Sequence, residues 1–175
     1  MSETENMKHF RPLIRNISLF SYLTEEELGN IFSRAEILKY KKGEKIIYLG
    51  DVSPYFYGII QGSVHVSLRE LDGHEVFICT IGKGEVFGES AIFMTEKRTA
   101  DVTSSEDTVV LRMHRKQMMS FIKDNPQAGN KILMLIVHSL LNKLREANQE
   151  LAFEKQSVID LDDLDSLVQD FMSES

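Results

Sequence analysis

Two short segments, Phe87-Gly88-Glu89-Ser90-Ala91 and Arg98-Thr99-Ala100, carry the residue types with the most chemistry to offer. Gly82, Gly84 and Gly88 run into a stretch of helical character, where N–H groups left unpaired at a helix start can point at an anion. Arg98 adds a full positive charge in a planar fork that holds two phosphate oxygens at once. Glu89 would repel a phosphate, so its carboxylate is assigned a different task, accepting a hydrogen bond from a sugar hydroxyl. The set predicts a sugar-phosphate site built from Gly88, Glu89, Ser90, Ala91, Arg98 and Thr99. A catalytic set is not expected. His9, His65, His74, His114 and His138 lack the close spacing of metal ligands, and Ser90 has no base near it in sequence.

The elements that must hold these residues follow from the apolar pattern. Leu13 to Phe20 is apolar at helical spacing, and Thr24 with Glu27 forms a capping box for a second helix ending near Ser33. From Ala35 to Arg112 the chain changes to short runs rich in Ile, Val, Tyr and Phe. Turns at Lys42-Gly43, Gly50-Asp51, Gln61-Gly62, Asp72-Gly73, Gly82 and Gly84 break them, a rhythm expected of a β sandwich or jelly roll. Alternation in Val64-His65-Val66-Ser67-Leu68 predicts valines and leucine on one face, with His65 and Ser67 on the other. Helical periodicity returns at Lys116 to Ile122, and Pro126 is suited to open a much longer helix.

In that long helix Leu133, Val137, Leu140, Leu144, Ala147 and Leu151 repeat at steps of four and three, a coiled-coil seam. Ile132, Leu135, Ile136 and Ser139 lie on another face and are expected against the β-domain. The seam therefore calls for a homodimer through the helix 126–153. The expected organisation is a helical cover (1–34), a mainly β jelly roll (35–113), C-terminal helices (114–155) and an acidic tail (156–175), either a short docking helix or disordered.

The chain has 175 residues and a formal net charge of −7. Its last 22 residues, Glu154 to Ser175, hold seven acids and Lys155, so the tail accounts for nearly all of that charge. Such a balance argues against a nucleic-acid reader, which needs clustered Lys and Arg. No stretch reaches the roughly 20 apolar residues of a membrane span, and the acidic start differs from a signal peptide. A cytoplasmic protein without membrane partner is expected. The single Cys79, within Val76-Phe77-Ile78-Cys79, is expected to be buried as a small hydrophobe.

Between about Leu13 and Leu151 the chain resembles the cyclic nucleotide-binding domain family, whose members include catabolite activator proteins, regulatory subunits of cyclic-AMP-dependent protein kinase and cyclic-nucleotide-gated channels. The likeness rests on Lys42-Gly43-Glu44-Lys45-Ile46-Ile47, Gly50-Asp51, Tyr57-Gly58-Ile59-Ile60-Gln61-Gly62-Ser63-Val64 and the cassette from Phe87 to Ala100. It implies that the amides of Gly88 and Ala91 meet a cyclic phosphate, that Glu89 takes the ribose 2′-hydroxyl, and that Arg98 pairs with the exocyclic oxygens. Ser90 stands where many relatives carry an aliphatic residue, and Lys97 where a proline often precedes the arginine. Thr99 leaves the base open, because its hydroxyl can touch the phosphate and in some channel relatives favours guanine.

The resemblance further implies that the long helix closes over the base, with Lys143, Arg145 and Asn148 as possible contacts. An Asn can read adenine, whereas Arg suits guanine. The expected ligand is cyclic AMP (cAMP), with cyclic GMP (cGMP) as the alternative, and no cofactor. The expected function is a sensor that signals by repositioning the C-terminal helix. Its alternatives are a ligand-free dimeric scaffold whose tail engages an unknown protein, or a fragment of a transcription regulator. The residues after Lys155 are too few and too acidic for a DNA-binding helix-turn-helix, so DNA is not an expected partner.

Overall fold

A computed structural model describes the backbone of residues 3–69 and 74–173, and the side chains of 9–69, 74–149 and 151–152. The chain divides into two units, residues 1–135 and 136–175. The first holds eight strands in two antiparallel four-stranded sheets. One sheet has the order β1 (Glu36–Tyr40), β8 (Thr108–His114), β3 (Tyr55–Gln61), β6 (Val86–Phe87); the other runs β2 (Lys45–Ile47), β7 (Asp101–Ser104), β4 (Val64–Arg69), β5 (Glu75–Ile81). Between them Ile47, Tyr57, Ile59, Val64, Ile81, Phe87, Val102 and Val110 form the sandwich core. This is the expected jelly roll.

The N-terminal cover differs in detail from its sequence pattern. Helix α1 (Glu3–Ile14) ends where the apolar spacing of Leu13 to Phe20 predicts a helix to begin, and Ser18–Phe20 forms a separate 3-10 turn. The reason is tertiary: the Ser18 amide donates to the Gly84 carbonyl at 2.7 Å, anchoring the chain on the turn before β6. Ile14, Ile17, Leu19 and Phe20 are all buried, so the apolar spacing reflects two short turns meeting one core. Helix α2 (Glu25–Phe32) carries the expected capping box, with Thr24 and Glu27 bonded reciprocally. After β8 come α4 (Arg115–Asp124) and α5, which Pro126 opens and which continues as helical backbone to Ser173. The docking or partner role expected of the tail concerns side chains outside the described residues, as does the turn at Asp72-Gly73.

Two side-chain expectations fail in the β4–β5 hairpin. A bulge between Val66 and Ser67 breaks the strand's alternation. Beyond it Ser67 is buried and Leu68 is exposed, whereas His65, before it, stays exposed as expected. Cys79 is exposed rather than buried, because β5 is the edge strand of its sheet and only Ile81 at its end reaches the core.

Candidate functional site

The cassette is positioned from β3. Tyr57 pairs with Phe87 and Gly58 with Val86, and the Tyr57 and Phe87 rings stack at 4.9 Å and 5°. Immediately after Phe87 the backbone must reverse, and Gly88 does so at φ +69°. Only glycine suits this place on two counts: the left-handed conformation, and a virtual Cβ that would lie 2.9 Å from Arg98 Nη1. Helix α3 (Ser90–Phe93) follows as a single turn, closed by the Ala91 amide on the Gly88 carbonyl at 3.1 Å. One turn supports little macrodipole, so the individual amides carry whatever anion recognition occurs here.

Arg98 reaches this turn from the other side. Its main chain is tied to the loop after β2, with its amide on the Asp51 carbonyl at 2.8 Å and its own carbonyl accepting from Gly50 at 2.8 Å. Val52 bridges to Lys97 alongside. The buried guanidinium donates to Gly88 O at 3.3 Å, to Ser53 O at 3.0 Å and to Tyr55 O. Its Nε is buried without a hydrogen-bond partner. Burial lowers the Arg98 pKa from its ordinary value, while Tyr57, Glu89 and Asp51 favour the charged form. Arg98 remains a cation at neutral pH, since a guanidinium does not deprotonate in proteins.

Glu89 is buried at the start of α3 and contributes an attractive charge to Arg98. Gly88, Glu89, Ala91 and Arg98 thus converge in one place. The Ser90 and Thr99 side chains are exposed at its margin. Lys143, Arg145 and Asn148 lie in the second unit on α5, the first half-buried and the other two exposed. Among the described residues no group of three or more His, Cys, Asp or Glu is arranged to hold a metal ion, and no helix is long and apolar enough to cross a membrane.

Sequence reasoning missed the other side of the arginine's environment. The Ser53 and Tyr55 carbonyls belong to the main chain and leave no trace in residue type. Arg112 is also nearby: it opposes Tyr57 across β3 and β8, pairs with Glu36, and stands 4.5 Å from the Tyr55 ring centroid. Only the Gly50-Asp51 turn and the aromatic run Tyr55-Phe56-Tyr57 gave a hint of a structured wall there.

Residues 37–125, just over half of the chain, match the model of the cyclic nucleotide-binding domain family. The chain is 31% identical over 133 residues to the cyclic AMP receptor protein of Thermus thermophilus, covering 76% of this chain and 60% of that protein. It is 33% identical over 104 residues to human cGMP-dependent protein kinase 2, covering 58% of this chain and 14% of the kinase. Its fold superimposes on the crystal structure of Thermus thermophilus catabolite activator protein with a TM-score of 0.67 and 29% identity, over 78% of this chain and 62% of that one. The chain therefore spans less than two thirds of the length of these relatives.

Proposed function

The chain belongs to the cyclic nucleotide-binding domain family, and on that premise we propose that it is a cyclic nucleotide sensor, with cAMP as its ligand ahead of cGMP. The observation that carries the reading is the convergence of a buried cation from one segment with a buried carboxylate and a positive-φ glycine on the turn it reaches. A purely structural loop gains little from burying Glu89 and Arg98 together, because desolvating two charges costs about as much as their attraction returns. A ligand with one anionic and one hydroxyl-bearing part uses both. Arg98 and the Gly88 amide receive the exocyclic oxygens of the cyclic phosphate, and Glu89 accepts from the ribose 2′-hydroxyl. Thr99, at the margin, can add a hydroxyl to the phosphate.

Phosphate binding by Arg98 competes with the carbonyls of Gly88, Ser53 and Tyr55, and use of the Ala91 amide requires its bond to Gly88 to be shared. Rearrangement of the cassette on binding follows from that competition. A signal results only if the ligand binds the rearranged state more tightly, by the free energy separating the two. In this reading the rearrangement is transmitted to the long helix, where Lys143, Arg145 or Asn148 meets the base, and the Leu140–Leu144 seam joins two copies.

Both cAMP and cGMP occur in the names of relatives. The preference for cAMP rests on the greater coverage by the receptor protein. The three carbonyl bonds of Arg98 favour one competing reading, a ligand-free scaffold, in which the guanidinium's hydrogen bonds are permanent. Calorimetry of the full chain with cAMP and with cGMP separates the two. Saturable binding that Arg98→Glu abolishes supports the sensor; no binding of either nucleotide supports the scaffold.

A further inference from the structure

We propose that a cavity on the outer face of the sheet β2-β7-β4-β5, bounded by Lys45, Tyr48, Leu49, Arg69 and Asp101, is a binding site for a small organic phosphate. None of these residues belongs to the cassette. Val102 faces the sandwich core, so its neighbour Asp101 on β7 points to the opposite face of the sheet. A carboxylate on that face is expected in water, yet Asp101 is only 4% exposed. Lys45 of β2 and the loop that follows cover it: Lys45 Nζ donates to Oδ2 and the Leu49 amide to Oδ1, each at 2.8 Å. Together with Tyr48 and Arg69 these residues bound a cavity of about 370 Å³, within the range of small-molecule sites.

Charge and surface select the ligand. Lys45 and Arg69 set two cations against one carboxylate, so the lining keeps a positive charge in excess and favours an anion. The two cations also carry more N–H donors than that carboxylate can satisfy, and both of its oxygens already accept a bond. A phosphate supplies the missing acceptors, because the Arg69 fork can take two of its oxygens while Lys45 takes another. Lys45 is fixed in advance, its ammonium bonded to Asp101 and standing 5.4 Å from the Tyr48 ring centroid. Less ordering is then left for the ligand to impose. Tyr48 and Leu49 are 54% and 41% exposed and offer an apolar wall to the organic part of the molecule.

Phenyl phosphate and inorganic phosphate are the probes, titrated into the ¹⁵N-labelled full chain at about 0.15 M salt, where exposed charges are largely screened. The expected result is a saturable shift of the Tyr48, Leu49 and Asp101 amides. Phenyl phosphate should bind about 3- to 10-fold more tightly than inorganic phosphate, because its ring meets Tyr48. Arg69→Gln alters an exposed side chain, so the variant folds, and thermal unfolding checks this. It should weaken phenyl phosphate by about tenfold, the size of one hydrogen bond to a charged group. Tyr48→Ala should remove the advantage of phenyl phosphate over inorganic phosphate. Shifts confined to Gly88, Ala91 and Arg98 would place the anion in the cassette and overturn the proposal. So would a lack of saturation, equal affinity for the two probes, or an affinity unchanged by Arg69→Gln. The sensor reading stands or falls separately, on the binding of cAMP.

Discussion

Replacing Gly88 by alanine tests the site at its tightest point. The backbone there stands at φ +69°, where an L-residue other than glycine loses about 1–2 kcal/mol. For a chain of this size such a loss lowers Tm by about 2–8 °C. The added Cβ also meets Arg98 Nη1 at 2.9 Å and Ile47 Cδ1 at 3.5 Å, so the guanidinium must withdraw. Its bond to the Gly88 carbonyl is already long at 3.3 Å and is the first to break. Losing one charge-assisted bond to the phosphate at the same time costs about 1.5–3 kcal/mol, or roughly a 10- to 150-fold weaker cAMP affinity. Gly43→Ala supplies the control, because Gly43 has φ +84° with nothing within 4 Å of its virtual Cβ. It suffers the same backbone strain with no contact to Arg98. Scanning fluorimetry and calorimetry on both variants separate strain from recognition. If Gly88→Ala loses stability like Gly43→Ala yet binds cAMP within twofold of the unaltered chain, Gly88 is a turn and not part of a phosphate cradle.

Two further perturbations address other parts of the molecule. Val137, Leu140, Leu144 and Leu151 are 41–58% exposed along α5, so Leu140→Asp with Leu144→Asp should convert a dimer to a monomer in sedimentation velocity. An unaltered chain that sediments as a monomer at micromolar concentration would count against the seam. Burial disfavours the Asp101 carboxylate, but hydrogen bonds from Lys45 Nζ and the Leu49 amide, with the charges of Lys45 and Arg69, outweigh it and hold the carboxyl below its ordinary pKa. The stabilisation is therefore present above the unfolded value near 4 and lost as pH falls through the lower folded value. Asp101→Asn should destabilise the chain at about pH 6 and much less at about pH 3, and a penalty equal at both would show that the ionised form is not what matters.

Local rules made several elements legible in the sequence. The capping box at Thr24 and Glu27 is set by side chains within three residues of each other, and the Pro126 helix start by the fixed φ of one ring. Strand rhythm between Ala35 and Arg112 announced a β sandwich because turns and alternation are short-range signals. Where a residue's fate depended on distant neighbours, the same signals failed. Cys79 looked like core in its apolar run, but nothing in the run reveals that β5 has a partner on one edge only. Ser67 and Leu68 exchanged faces at a bulge that depends on pairing with β5. The break after Ile14 depends on a hydrogen bond to Gly84, 66 residues from Ser18.

For the site, residue type singled out Gly88, Glu89, Ser90, Ala91, Arg98 and Thr99 as candidates, and the fold brings Gly88, Glu89 and Arg98 together while leaving the Ser90 and Thr99 side chains exposed. The folded chain decided which groups those residues touch. Carbonyls of Gly88, Ser53 and Tyr55 surround the arginine, because the turn after β6 and the segment leading into β3 meet there, with β3 paired to β6. Main-chain acceptors are the same at every position, so no sequence pattern can mark the ones that will face a buried cation. Only the folded path of the chain, strands and loops together, selects them.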